Sequence, residues 1–314
     1  MDADERRAMV TRLLRLAGAA LMVALIAVAG GGLVVALDHP ATDSARPELT
    51  ARGDAAFRRA ATPLRASLDE LAMLTDGLAR AGREASFALR DLDHATVRAR
   101  LDGGEAGLAS AILAAERVRS MNDQLVAEVA GARLSARSSA ALIAVADVTN
   151  AVVALADYQA LVASAAGSAA DVLGDLQAHD ELVFEATEAA RDERYGAAAG
   201  SLDEAGDLLA PILAERDTAE VRPSPTLDDW LLRATDYDAA LQRLYQLLDA
   251  SGGMPTTGSG AAAADVELAQ AALPADGSAL VVIASELAEP DLTEGLVGIE
   301  GIRGSIAEAV LALD

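Results

Sequence analysis

Leu64–Leu92 reads LRASLDELAMLTDGLARAGREASFALRDL. Within it Leu64, Leu68, Leu71, Thr75, Leu78, Gly82, Ala85, Leu89 and Leu92 recur at alternating steps of four and three. That is a heptad seam sustained over about four repeats, the pattern of a long helix packed lengthwise on its neighbours. Phe57 and Ala61 carry the register backwards, with Pro63 between them and the seam. Two readings follow: a helix starting at Pro63 with Thr62 as its N-cap, or a longer helix kinked at the proline.

The same periodicity recurs along the chain. Leu108, Ala111, Ala115, Val118, Asn122, Leu125 and Val129 form a second seam after a break expected at Gly103-Gly104, with Gly131 as its end. Asn122 on that seam would fix register at some cost in stability. A third helix, from about Ser138, aligns Val145, Val148, Val152, Leu155, Gln159 and Val162. A further one over 168–194 holds Val172, Leu176, Val183, Ala186 and Ala190. Ser201 and Glu204 match a capping box and predict a helix start, with a bend at Pro211. Thr226 and Asp229 predict the start of a helix through Trp230, Tyr237, Leu241, Leu244 and Leu248. The stretch SGGMPTTGSG, 251–260, reads as a flexible linker, and Asp291 with Glu294 as the cap of a last helix.

Composition agrees with an all-α chain. Roughly a quarter of the residues are alanine, the best helix former, and aromatics are only 3%. The core must therefore be built from Ala, Leu and Val, and few runs exist from which to make strands. The formal charge of −24 argues against nucleic acid or anionic lipid as a partner. Cysteine is absent, which excludes disulfides, thiolate metal sites and thiol nucleophiles.

Leu16–Leu37, LAGAALMVALIAVAGGGLVVAL, contains no charged side chain. As a helix it would measure about 33 Å, enough to cross the hydrocarbon core of a bilayer. A cleaved signal peptide has an apolar core of only about 7–15 residues and a small-residue cleavage site. Here the run is too long and Asp38-His39-Pro40 offers no obvious site, although Ala36 and the Gly30-Gly31-Gly32 run leave cleavage open; of the two readings the uncleaved anchor is the expected one. Asp147, Asn150 and Asp157 argue against a second span in the third helix. Arg6, Arg7, Arg12 and Arg15 precede the anchor while Arg46 and Arg52 follow it, which predicts a cytoplasmic N-terminus.

The resulting plan is an all-α protein: a single N-terminal transmembrane helix followed by an up-and-down, coiled-coil-like bundle of long helices. Its parts are a cytoplasmic tail, 1–15; the anchor, 16–37; a juxtamembrane linker, 38–53; a helical bundle, 54–250; a flexible linker, 251–263; and a C-terminal helical segment, 264–314. Helices of this kind behind one anchor look like the extracytoplasmic four-helix sensor domains of bacterial receptors, a likeness of architecture without a shared motif. Tyr195–Leu213 resembles one tetratricopeptide unit, without the 34-residue recurrence of an array.

Chemistry is sparse. His94 follows Asp91 and His179 follows Asp175, spacings that fit helical ion pairs on a solvated surface. His39 abuts the anchor. A di-iron bundle needs two Glu-x-x-His motifs, zinc hydrolases need His-Glu-x-x-His, and serine hydrolases need Gly-x-Ser-x-Gly; none of these is present. No catalytic, cofactor-binding or metal-ligating residue is therefore assigned. Trp230, Tyr237 and Tyr245 could line a pocket but read more simply as a packing stripe. The expectation is a non-enzymatic, membrane-anchored scaffolding protein of the cell envelope with protein partners, homo-oligomers among them. The alternative is a ligand-binding sensor bundle that signals through a partner.

Overall fold

The structure is a computed structural model that describes residues 47–216, 224–274 and 278–314. The anchor at 16–37, the tail before it and His39 lie outside the described residues. The chain divides into two units, Met1–Ala51 and Arg52–Asp314. Of the first, residues 47–51 are described, and they are helical. The second holds everything that follows. It is all-helical, 91% of the structure being helix, with no strand among the described residues.

In order the helices are α1 (Pro47–Arg90), α2 (His94–Glu128), α3 (Ala136–Ala151), α4 (Leu155–Arg191), α5 (Tyr195–Arg216), α6 (Pro225–Ala250), α7 (Thr257–Ala272) and α8 (Ser278–Leu313). A single 3₁₀ turn, Val152–Ala154, joins α3 to α4. The Leu64–Leu92 seam is the core of α1: Leu64, Leu68, Leu71, Thr75, Leu78, Ala85 and Leu89 are all buried. Thr75 is tolerated there because its hydroxyl donates to the Leu71 carbonyl at 2.9 Å. The proline ambiguity resolves towards the longer helix. α1 runs unbroken through Pro63, and the Thr62 hydroxyl donates back to the Arg58 carbonyl instead of capping.

Pairs between helices set their directions. On α1 and α2, Ser67 meets Met121, Glu70 meets Arg117 and Glu84 meets Arg100, so the two run antiparallel. Arg98 meets Asp171 and His94 meets Gln177, which sets α4 antiparallel to α2. Asp76 with Arg303, and Arg83 with Glu300, set α8 antiparallel to α1. α8 also packs on α3 and α4. The last helix of the expected C-terminal segment, 264–314, thus packs on the bundle that α1 opens.

Small residues allow this closeness. A Cβ on Gly295 would lie 2.7 Å from the Tyr158 carbonyl oxygen, and one on Gly104 would lie 2.7 Å from the Gln159 side chain. Gly103-Gly104 is accordingly no break: α2 passes straight through it, and Gly104 serves close packing.

Several expected boundaries shift for local reasons. The linker expected over 38–53 is already helix from Pro47. The expected linker over 251–263 is a turn followed by helix from Thr257, because Thr256 and Ser259 form a reciprocal capping box and four alanines follow. Ser259 is only 4% exposed, whereas Met254 in the turn is 68% exposed. Ser201 lies inside α5 and Asp291 inside α8, so neither caps a helix. α6 is capped by Ser224, whose hydroxyl accepts from the Leu227 N–H, with Pro225 in the first turn.

Among the described residues one helical stretch, Ala136–Arg191, is long and apolar enough to cross a membrane by length and composition. It lies mid-chain, and its Val145, Val148, Leu155, Val162, Leu173 and Leu176 are buried against the other helices. Asp147, Asn150 and Asp157 stand exposed along it.

A candidate pocket beside the His179–Asp238 pair

α5, α6 and α7 pack in sequence on one another, with α5 on α4. Ala186 and Ala189 of α4 meet Ala198 and Leu202 of α5 and Leu241 and Tyr245 of α6 in a small second core. This arrangement brings His179 of α4 opposite Asp238 of α6.

His179 is 3% exposed, so it is no surface residue. Its Nε2 lies 2.8 Å from Asp238 Oδ2 and its Nδ1 lies 3.1 Å from Asp180 Oδ1. The partner expected from the sequence, Asp175, is not the one it meets. Burial, the largest influence, works to lower the His179 pKa. The hydrogen bonds and charges of Asp180 and Asp238 together overcome it and raise the pKa to about 9. The ring is thus an imidazolium at neutral pH, with both N–H groups committed to carboxylates. Trp230 meets it edge-on, ring centroids 5.4 Å apart and planes at 74°. Asp238 Oδ1 is buried with no hydrogen-bond partner among the described residues.

A cavity of about 370 Å³ opens beside this pair. α4 lines it with His179, Asp180, Phe184 and Thr187; α6 with Trp230, Ala234 and Tyr237; the α7–α8 connection with Leu273 and Pro274. Burial and then the Asp238 charge push the Tyr237 phenol above its ordinary value. Of the aromatic trio singled out in the sequence, Trp230 and Tyr237 line the pocket, while Tyr245 belongs to the small core. The pocket walls are held in place from behind. Glu286 of α8 accepts from the Ser224 hydroxyl at 2.6 Å and from the Thr226 hydroxyl at 2.8 Å, tying α8 to the start of α6.

His94 has a different role. Its Nδ1 lies 2.8 Å from Gln177 Oε1, and the Gln177 amide donates to the Leu92 carbonyl at 2.9 Å. Leu92 sits at φ 58°, a left-handed conformation costing about 1–2 kcal/mol for an L-residue, so Gln177 and His94 latch the α1–α2 turn. Asp91 is exposed and is not the partner of His94. Among the described residues no group of three or more His, Asp or Glu is placed to hold a metal ion.

Comparison with known proteins returned no matching family model, no matching curated protein and no matching solved structure.

Proposed function

We propose that the chain is a membrane-anchored, extracytoplasmic helical module that binds a small ligand in the His179 pocket without transforming it and passes the signal to a protein partner. The observation that carries this reading is the cavity itself. Its volume falls within the range of about 300–1,000 Å³ typical of ligand sites, and convergent aromatic and charged groups wall it. Binding is favoured over catalysis because both nitrogens of His179 are engaged by carboxylates, which leaves none free as a base. The Thr187 hydroxyl is likewise spent on the Phe184 carbonyl.

Thermal unfolding of the detergent-solubilised full chain tests it against a library balanced among cations, neutral molecules and anions. A true ligand at about 100 times its Kd should stabilise by about 2.7 kcal/mol, and Thr187→Phe, which fills the pocket from its rim, should abolish the effect. Ligands that stabilise the filled variant equally well would place binding elsewhere. An absence of any ligand would favour scaffolding. That second reading has its own support in an open groove between α1 and α2 lined by Leu74 and by Leu113, which is 61% exposed.

The anchor remains assigned to 16–37 rather than to Ala136–Arg191, since lipid would have to solvate the exposed Asp147 and Asp157 of the latter. The arginine bias places the helical region outside the cytoplasm. Met254→Cys supplies a single exposed thiol in a chain without cysteine, and a membrane-impermeant maleimide should label it on intact cells. Labelling that requires rupture of the inner membrane would reverse the orientation. Ser259, although within the expected linker, is unsuitable for this because it is buried in its capping box.

A further inference from the structure

We propose that the pocket beside His179 selects a small organic cation, an alkylammonium with an apolar body. The inference rests on the reading of this cavity as a ligand site and adds the chemical class.

The charges at the site leave a carboxylate in excess. One imidazolium, His179, is flanked by two carboxylates, Asp180 and Asp238. The Asp180 side chain is 56% exposed and lines the cavity, so a ligand can reach it directly. Glu181 and Glu185, exposed on the same helix, add to the negative potential. The cation nearest in sequence on α6 does not offset it. Arg233 is paired with Asp229 at 2.8 Å and donates to the Ala272 carbonyl at 2.7 Å.

An anion therefore finds no welcome despite the buried imidazolium. Both His179 N–H groups already donate to carboxylates, so none remains for an incoming anion, and the surplus carboxylate repels it. A metal ion lacks a ligand set among the described residues. A neutral molecule would gain from the apolar walls but leave the surplus charge uncompensated.

The walls suit a diffuse cation. Phe184, Trp230 and Tyr237 contribute three aromatic side chains from two helices to one cavity. Aromatic faces attract ammonium groups through their quadrupole, and more strongly when water is excluded.

Trp230 is the only tryptophan in the chain, which makes its emission a reporter of this site alone. The full chain in detergent would be titrated with benzyltrimethylammonium, benzyl alcohol and benzoate, in low and high salt. The ammonium should shift Trp230 emission saturably, bind at least about tenfold more tightly than benzyl alcohol, and weaken with salt. Benzoate should not saturate. Asp180→Asn, its fold verified by circular dichroism, should weaken the ammonium about tenfold and leave benzyl alcohol unchanged. If benzyl alcohol or benzoate binds as tightly as the ammonium, the cation inference falls and the ligand pocket stands. If none of the three alters Trp230 emission, or if Thr187→Phe leaves ammonium binding intact, the pocket reading falls with it.

Discussion

Asp238→Ala should destabilise the protein by about 3–5 kcal/mol, the cost of stripping a buried charge of its partner. His179 is sealed between α4 and α6, and the substitution removes the carboxylate that meets its Nε2. Asp180 alone, its side chain 56% exposed, cannot compensate a buried imidazolium. The same pair sets a pH window. The folded-state pKa of His179 is raised to about 9 from an ordinary 6.5. Its contribution is therefore complete below pH 6.5 and disappears as pH rises through about 9, a loss of about 3 kcal/mol. Burial also pushes the Tyr237 and Tyr245 phenols up from 10.0, so their loss begins at higher pH and can be separated. Denaturant unfolding of wild type at pH 6 and pH 9 should show the His179 loss, and Asp238→Ala should show much less of it. A variant as stable as wild type at pH 6 would mean that the ring is neutral and the pair is an ordinary hydrogen bond.

Leu78→Ala and Leu71→Ala should each cost about 2–5 kcal/mol, measured by thermal or denaturant unfolding. Both side chains are essentially inaccessible on the α1 seam. Leu78 also packs against the facing glycine of α2: a Cβ on Gly107 would come within 3.2 Å of Leu78 Cδ2. A cavity there is bounded by helix backbone, which cannot collapse to fill it. Asp76→Ala and Arg80→Ala serve as controls one face away. Arg80 pairs with Asp76 at 2.7 Å and Arg303 pairs with it at 3.4 Å, exposed ion pairs worth about 0–1 kcal/mol. Wild-type stability in Leu78→Ala would mean that the heptad seam is not a core.

The site was partly legible in the amino-acid pattern. His179 falls in the register Val172, Leu176, His179, Val183, Ala186, and Asp238 falls between Ala234 and Leu241, both inside apolar stripes. A polar residue at a seam position needs a partner, because burial without one is costly. That signal was present at both places, yet Asp175, one turn away on the same helix, offered a simpler local partner for His179. Local spacing also misled at Ser201 and Asp291, where a capping pattern lies within a continuing helix.

What the amino-acid sequence alone determines is the class of structure: helices, their buried stripes and most of the α1 core. Periodicity and helix propensity act over a few turns, so they can be read one segment at a time. Only the tertiary structure decided that α8 returns to α1, α3 and α4, and that α6, the α7–α8 connection and the start of α8 meet the end of α4 to line a pocket. The pairing of His179 with Asp238 spans 59 positions along the chain and depends on which helix faces which. Apolar stripes of Ala, Leu and Val are nearly interchangeable as partners. The choice among them is made by close contacts such as Gly104 on Gln159 and Gly295 on Tyr158, which exist only once the helices have met.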